Sequence, residues 1–139
     1  MIRPATLDDI PRLQEWGQRF ADKAGLSDHV GYNPAHMEKT FRLMIEGEHY
    51  AVLVGDSGAI GGGRAPHPFN FDHWFASEMF WWSEGREGLR LLSAFEDWAR
   101  ERCQSVTMIT LEAVRPERMA AIYQRRGFNP VERSFMKVF

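Results

Sequence analysis

The chain has 139 residues, of which 44% are hydrophobic and 26% charged, so it is long enough for one globular core and too short for two. Its formal net charge of −2 lacks the basic excess of nucleic-acid-binding proteins, and no apolar run has the length of a membrane-spanning helix. We therefore expect neither a nucleic acid nor a membrane as partner. Cys103 is the single cysteine, which excludes an internal disulfide, and the N-terminal stretch is charged, unlike a secretory signal. These features predict a cytoplasmic protein.

The first part of the chain predicts a strand, two helices and a three-stranded meander. Residues 1–6 are a short extended piece. Apolar residues recur every three or four positions over 6–25 and again over 34–47, and each of these helices ends at a glycine. Two apolar runs flank the turn "GDSG" within residues 49–65, which is typical of a β-hairpin. The aromatic stretch at 74–82 predicts the third strand.

The second part predicts a crossover and a final pair of elements. A helical face runs to Cys103, a β-branched strand occupies 105–113, a helix covers 116–127, and 131–139 closes the chain as a strand. A right-handed connection through the first of these helices places the 105–113 strand parallel to the 74–82 strand. The prediction is one α/β (α+β) domain over 1–139, with element order β-α-α-β-β-β-α-β-α-β.

The turn "EGREGLR" brackets the start of the long helix with two glycines. A helix start has unpaired backbone N–H groups and the positive end of the helix dipole, and a turn without bulky Cβ atoms lets a diphosphate approach them. Arg86 and Arg90 could strengthen such a contact, although Glu84 and Glu87 oppose it locally. The alternatives are a turn that only needs two flexible residues and a solvated charged face.

Two motifs and the element order give the chain a family resemblance. "GREGLR" stands where the GNAT superfamily of N-acetyltransferases has its pyrophosphate loop, and "PERMAAIYQRRGF" resembles the family's later motif through Tyr123, Gly127 and Phe128. The chain resembles this family over nearly its full length, and small phage-encoded members in particular. Gly85 stands where the family has Gln or Arg, Arg90 where it has a second small residue, and Pro116 where it commonly has Asn.

The resemblance implies a mixed central sheet whose two parallel strands splay apart at a cleft for acetyl-CoA. The implied reaction is transfer of the acetyl group to a primary amine of a small molecule or peptide by direct attack, with no metal. The family also often forms dimers, so a homodimer stays open. By the same resemblance, backbone groups of two segments contact the cofactor: Phe80, Trp81 and Trp82 at the thioester, and Gly85, Arg86, Glu87, Gly88, Leu89 and Arg90 at the pyrophosphate.

Tyr123 stands at the position of the family's frequent general acid, which implies that it protonates the departing thiolate; a core tyrosine is the alternative. Glu78 is the first candidate for the base, because a carboxylate among aromatic residues is poorly solvated. Period-two alternation places Glu78 with Phe80 and Trp82 on one face of the strand, with Met79 on the other. Glu112 or a chain of water molecules remain alternatives for the base.

The acceptor amine is expected between the first two helices and the aromatic connection "PHPFNFDHW", where Phe71, Asp72 and Trp74 are the candidate substrate-binding residues. The five histidines lack metal-ligand spacing. Two other function classes stay open. One is a catalytically inactive GNAT-like module that binds CoA, favoured by the departures from the motifs. The other is an interaction protein that uses its aromatic strand as an interface.

Overall fold

The computed structural model describes the whole chain, Met1–Phe139. Five strands and five helices follow in this order: β1 (Arg3–Pro4), α1 (Ile10–Lys23), α2 (Leu26–His29), α3 (Pro34–Glu46), β2 (Tyr50–Val54), β3 (Gly58–His67), β4 (Asn70–Ser83), α4 (Gly88–Arg100), β5 (Ser105–Thr107) and α5 (Pro116–Arg125). The single helical turn α2 lies between the two predicted helices, where the apolar spacing predicts no regular element. None of the helices combines the length and the apolar character that crossing a bilayer requires.

The strands form one mixed sheet in the order β1-β2-β3-β4-β5. Strands β1 to β4 pair antiparallel, whereas β4 and β5 pair parallel. The chain between these two strands contains α4, as the predicted crossover requires. This arrangement confirms the predicted α/β fold class with its mixed central sheet.

The helices cover the two faces of the sheet and divide the core into two clusters. On one face, Leu13 of α1 and Phe41 of α3 pack against Val52 and Val54 of β2. On the other face, Leu91 and Phe95 of α4 pack with Ala51 and Ile60, the sheet residues that alternate with the first set. The two-residue period of the strands therefore supplies both cores from one sheet.

A buried carboxylate ties β1 to the start of α1. Asp9 accepts two hydrogen bonds from the guanidinium of Arg3, at 2.8 and 2.9 Å, and one from Nε of Arg12 at 3.0 Å. It also accepts the backbone N–H of Thr6 at 2.8 Å. The bonds from Arg3 lower the pKa of Asp9 most, against the opposing effect of burial. The ionised carboxylate is thus satisfied within a nearly closed site.

The predicted strand at 131–139 is absent, and this part of the sequence prediction is wrong. Residues 128–139 form no regular structure, although β-forming side chains are frequent among them. A strand needs a neighbouring backbone for its hydrogen bonds, and a cavity of about 810 Å³ separates residues 105–112 from residues 126–134. The large apolar side chains of the terminus are exposed instead: Val131, Phe135, Met136, Val138 and Phe139.

Candidate functional site

The parallel strands separate soon after they meet. β4 pairs with β5 only from Phe75 to Ser77, opposite Ser105 to Thr107, although the sequence predicts that the second strand continues to residue 113. Beyond this point β4 continues to Ser83 and is paired only with β3. Its free edge therefore presents backbone N–H and C=O groups to the gap. The predicted backbone contacts of Phe80, Trp81 and Trp82 lie on this part of β4.

A β-bulge at Met79 changes which side chains share a face. Gly62 pairs with Glu78 and Gly61 with Phe80, so Met79 is skipped in the register. Glu78 and Phe80 are consecutive rungs of the ladder and lie on opposite faces. A Cβ on Gly62 would meet Phe95, which places Glu78 on the α4 face. The predicted grouping of Glu78 with Phe80 and Trp82 is therefore wrong.

Glu78 is a buried acid, and one of its carboxyl oxygens has no hydrogen-bond partner. Its exposed fraction is 6%, and burial raises its pKa to about 8. Its Oε2 atom is buried without a hydrogen-bond partner, and so is Nε1 of Trp81 farther along β4. Buried polar atoms without partners are rare, so these two positions suit a polar ligand or water that completes them. Glu78 begins the part of β4 beyond its pairing with β5, which places the acid at the mouth of the splay.

Tyr123 lies on α5 beside this part of the sheet. Its ring centroid is 6.3 Å from that of Trp81, and its hydroxyl donates a 2.9 Å hydrogen bond to the carbonyl oxygen of Ile109. Burial raises the pKa of the phenol, and the carboxylate of Glu78 raises it further. The electrostatic effect shows that the predicted acid and the predicted base are near each other. A raised pKa keeps the phenol protonated, as a proton donor requires.

The glycine-bracketed turn is held in place by its two glutamates. Glu84 pairs with Arg19 of α1 and accepts a 3.1 Å bond from the indole of Trp82. The carboxylate of Glu87 accepts the backbone N–H of Ser57 at 2.6 Å and that of Asp56 at 3.2 Å. The charge of Glu84 is therefore balanced by Arg19, and the carboxylate of Glu87 is directed at backbone N–H groups of the turn between β2 and β3.

The start of α4 is open towards solvent. Leu91 is the first residue of the helix whose N–H is bonded, to the carbonyl of Glu87, and none of the hydrogen bonds uses the N–H of residues 86–90. A Cβ on Gly88 would meet only ordinary contacts, with the nearest atom 3.5 Å away in Ser83. Arg86 and Arg90 are exposed and form no ion pair. This turn has the donors and positive charge that a diphosphate requires. A Cβ on Gly85 would meet the hydroxyl of Ser57, which would have to move away from Glu87.

The predicted substrate-binding residues lie away from this region. Phe71 and Asp72 are near the tip of the β3–β4 hairpin, and the side chain of Phe71 is 74% exposed. Trp74 packs beneath the guanidinium of Arg64, 5.0 Å from its ring centroid. None of the three lines either of the two main cavities. The alternative base, Glu112, is exposed and paired with Arg133 at 2.8 Å.

A cavity on the other face of β4 uses elements that the sequence did associate with the acceptor. It has a volume of about 260 Å³ and lies between α1, α2, α3 and β4. Met79 lines it, and sequence reasoning missed this residue because a bulge leaves no signal in an aromatic strand. Ile109 was missed as well, since its backbone carbonyl, and not its side chain, contacts Tyr123. The structure contains no cluster of three His, Cys, Asp or Glu residues that could bind a metal ion.

Comparison with known proteins gives the fold a name. No protein-family model matches the sequence, and no curated protein matches it significantly. Among solved structures, a transcriptional regulator from Bacillus halodurans superposes with a TM-score of 0.78 at 20% identity, over 100% of this chain and 99% of that one. A protein named as an acetyltransferase, from Agrobacterium tumefaciens, gives 0.75 at 16% identity, over 99% and 98%. The protein has the fold of the GNAT acetyltransferases. A third structure, of a protein named as a predicted acetyltransferase from Clostridium acetobutylicum and solved with acetyl-CoA, gives 0.72 at 14% identity, over 99% of this chain and 94% of that one.

Proposed function

We propose that the protein is an N-acetyltransferase that transfers the acetyl group of acetyl-CoA to a primary amine of a small molecule or peptide by direct attack. The observation that carries the proposal is the splay of β4 from β5, with Glu78 at its mouth and Tyr123 close by. A buried acid and a protonated phenol at one gap in a sheet form a pair suited to opposite proton transfers. The named neighbours with this fold support the same reaction class.

Acetyl-CoA fits the residues around the gap. The unbonded N–H groups of residues 86–90 and the exposed Arg86 and Arg90 suit the pyrophosphate. The free edge of β4 suits the extended, amide-bearing arm of acetyl-CoA, because the strand can supply backbone hydrogen bonds to its amide groups. Bound there, acetyl-CoA supplies a thioester carbon that an amine can attack. The open space at Gly88 lets the phosphates approach the backbone.

Each proton of the reaction then has a partner. The amine nitrogen forms a bond to the acetyl carbon while the carbon–sulfur bond breaks. Glu78 accepts the proton that the nitrogen loses, and a carboxylate with a pKa of about 8 is a stronger base than an exposed one. Tyr123 gives its proton to the sulfur, exchanging its bond to Ile109 for one to the leaving group. The free backbone N–H groups on β4 stabilise the negative charge on the thioester oxygen.

A module that binds CoA without catalysing transfer is the second candidate. It is favoured by one contact: the proton of the Tyr123 hydroxyl is directed at Ile109 and not into the gap. If that contact is permanent, the leaving thiolate has no acid. The third class, an interaction protein, is supported by the exposed Phe69 and Phe71 at the hairpin tip.

Two measurements separate these possibilities. Calorimetric titration with acetyl-CoA and with CoA distinguishes a protein that uses the cofactor from an interaction protein. Release of free thiol from acetyl-CoA in the presence of primary amines then distinguishes an enzyme from an inactive module. We expect saturable binding of both ligands and thiol release that depends on the amine. Binding without amine-dependent release would favour the inactive module, and no binding would overturn both cofactor-based functions.

A further inference from the structure

The cavity on the α1 and α3 face of β4 is almost entirely apolar. Fourteen of the 17 residues that line its volume of about 260 Å³ are hydrophobic. Most of the large ones are aromatic or thioether side chains, among them Trp16, Phe20, Phe41, Met79, Phe80 and Trp82. The cavity opens to solvent beside Val30 and Met79, whose exposed fractions are 69% and 48%. A ligand can therefore enter without the core having to unfold.

Three of the four side-chain N–H and O–H groups in the lining have partners inside the protein, and the fourth is the indole N–H of Trp16. The hydroxyl of Tyr32 donates to Oε1 of Gln14 at 2.6 Å, and that of Thr40 donates to the carbonyl of His36 at 3.1 Å. The indole N–H of Trp82 is bonded to Glu84. No charged side chain lines the cavity. A ligand rich in hydroxyl or ammonium groups would lose its hydrogen bonds to water there and regain few of them.

The cavity adjoins the proposed reaction site through the bulge in β4. Met79 lies in its wall, while the preceding residue, Glu78, points to the opposite face at the mouth of the splay. The wall of the cavity and the proposed base are thus adjacent residues on opposite faces of one strand. At the splay β4 has no partner strand on this edge. The gap there therefore connects the two faces of the sheet.

We propose that this cavity holds the apolar group of the acceptor, so that the substrate is a primary amine bearing one aromatic ring or short aliphatic chain. This inference rests on the proposed acetyl transfer. A dry engineered cavity of about 150 Å³ binds benzene, so about 260 Å³ accommodates a ring with a two-carbon arm. The arm carries the nitrogen out of the cavity towards the gap between β4 and β5. A polyhydroxylated polyamine does not fit this chemistry.

The first test compares amines on the wild-type protein. 2-Phenylethylamine, ethanolamine and kanamycin are each titrated while the fluorescence of the tryptophans is recorded, since Trp16 and Trp82 line the cavity. Each amine is then assayed for acetylation. We expect 2-phenylethylamine to change the fluorescence saturably and to have a KM at least about 100-fold below that of ethanolamine, because the ring is buried. Equal or better binding and turnover of ethanolamine or kanamycin would overturn the inference.

A filled cavity provides the second test. Thr40 is half-buried on α3 and lines the cavity, whereas Leu43 on the same helix is 58% exposed and lines neither cavity. Thr40→Phe should abolish the fluorescence response to 2-phenylethylamine and leave the affinity for acetyl-CoA unchanged, while Leu43→Phe should change neither. An unchanged response in Thr40→Phe would contradict the inference. Should Thr40→Phe fail to fold, the comparison of amines on the wild type still decides.

The two tests keep this inference separate from the proposed function. The fluorescence titration requires no turnover. If 2-phenylethylamine binds but no amine is acetylated, the proposed acetyl transfer is wrong while the ligand class of the cavity is retained. If amines are acetylated but the apolar ones are not preferred, the cavity assignment is wrong and the transfer is retained.

Discussion

The hydroxyl of Tyr123 on α5 donates a 2.9 Å hydrogen bond to the carbonyl oxygen of Ile109, two residues after β5 ends. The bond fixes the segment after β5 to α5, where β4 and β5 no longer pair. The bond also gives a partner to the carbonyl of Ile109, which lies beyond the pairing of β4 with β5. The residue proposed as the acid thus has a structural contact too, and any test of its chemistry has to separate the two.

Tyr123→Phe separates them, since it keeps the ring and removes the proton. Turnover should fall by roughly 10²- to 10⁴-fold, the usual range for general acid catalysis, with little change in CoA affinity. The lost bond to Ile109 should lower the free energy of unfolding by about 1 kcal/mol. Steady-state kinetics and thermal unfolding measure the two effects independently.

Tyr50→Phe is the matched control. Tyr50 is a half-buried tyrosine on β2 whose hydroxyl forms no hydrogen bond, and it lines neither cavity. Its replacement should leave both rate and stability unchanged. Wild-type turnover in Tyr123→Phe would mean that the phenol has only a structural role, in packing and in its bond to Ile109.

Gly88→Leu tests the proposed pyrophosphate contact. A Cβ at this position makes only ordinary contacts, so we expect the fold to be retained and the approach of the phosphates to be blocked. We expect the Kd for CoA to rise at least about tenfold, which corresponds to about 1.4 kcal/mol. Gly88→Ala, with a single methyl, should have a smaller effect. Calorimetry measures both, and unchanged affinity in Gly88→Leu would remove Gly88 from the site.

The buried acid Glu78 should make stability depend on pH. Its folded-state pKa of about 8 lies above the ordinary value of 4.5, so the folded protein holds the proton more tightly than the unfolded chain. The contribution is fully present below about pH 4.5 and is lost as pH rises through about 8, with a slope of up to about 1.4 kcal/mol per pH unit. Denaturant titrations of wild type and Glu78→Gln at several pH values test this. The same slope in both proteins would contradict it.

The same pKa predicts the pH dependence of turnover. Glu78 accepts a proton only when it is ionised, so kcat/KM, which reports the free protein, should increase as pH rises towards about 8 and level off above it. Glu78→Gln should be slower, most clearly above this value, and its profile should lack the step. If the variant keeps both the rate and the step, Glu78 is not the base, and a water chain or Glu112 takes its place.

Asp9→Asn should destabilise the N-terminal part of the fold. The substitution removes the charge that binds Arg3 and Arg12 in a site where Asp9 is 5% exposed. Both arginines are partly exposed, so we expect a loss of about 2 kcal/mol in the free energy of unfolding, less than for a fully buried pair. Asp8→Asn is the control, since Asp8 is exposed and unpaired. Equal stabilities of the two variants would show that the network contributes nothing.

The sequence contains most of the architecture because helical and strand periodicities report burial directly. The apolar spacing of α1, α3 and α4 predicts the faces that now cover the sheet. The same periodicity predicts the start of α4 just after the glycine turn. Because a helix start has unpaired N–H groups, the turn can be interpreted from the sequence as an anion site. The motif around Tyr123 located a phenol that does lie near Glu78.

The wrong predictions concern features that depend on contacts between residues distant in the sequence. The bulge at Met79 depends on register against β3, and it reverses the face of Glu78. The terminal residues 131–139 have strand-forming side chains but no neighbouring backbone, so propensity alone misled. Phe71, Asp72 and Trp74 stay predicted substrate-binding residues, but the segment that the sequence predicts as a connection belongs to an extended hairpin. That the chain forms one domain stays a prediction.

The most direct test of acetyl transfer is mass spectrometry of the amine after incubation with the protein and acetyl-CoA carrying an isotopic label in its acetyl group. We expect 2-phenylethylamine to become N-acetylated with the full label, at a rate proportional to protein concentration. Tyr123→Phe should form at most about one hundredth as much product in the same time. Absence of labelled product with every primary amine, under conditions where calorimetry demonstrates acetyl-CoA binding, would mean that the protein is not an acetyltransferase.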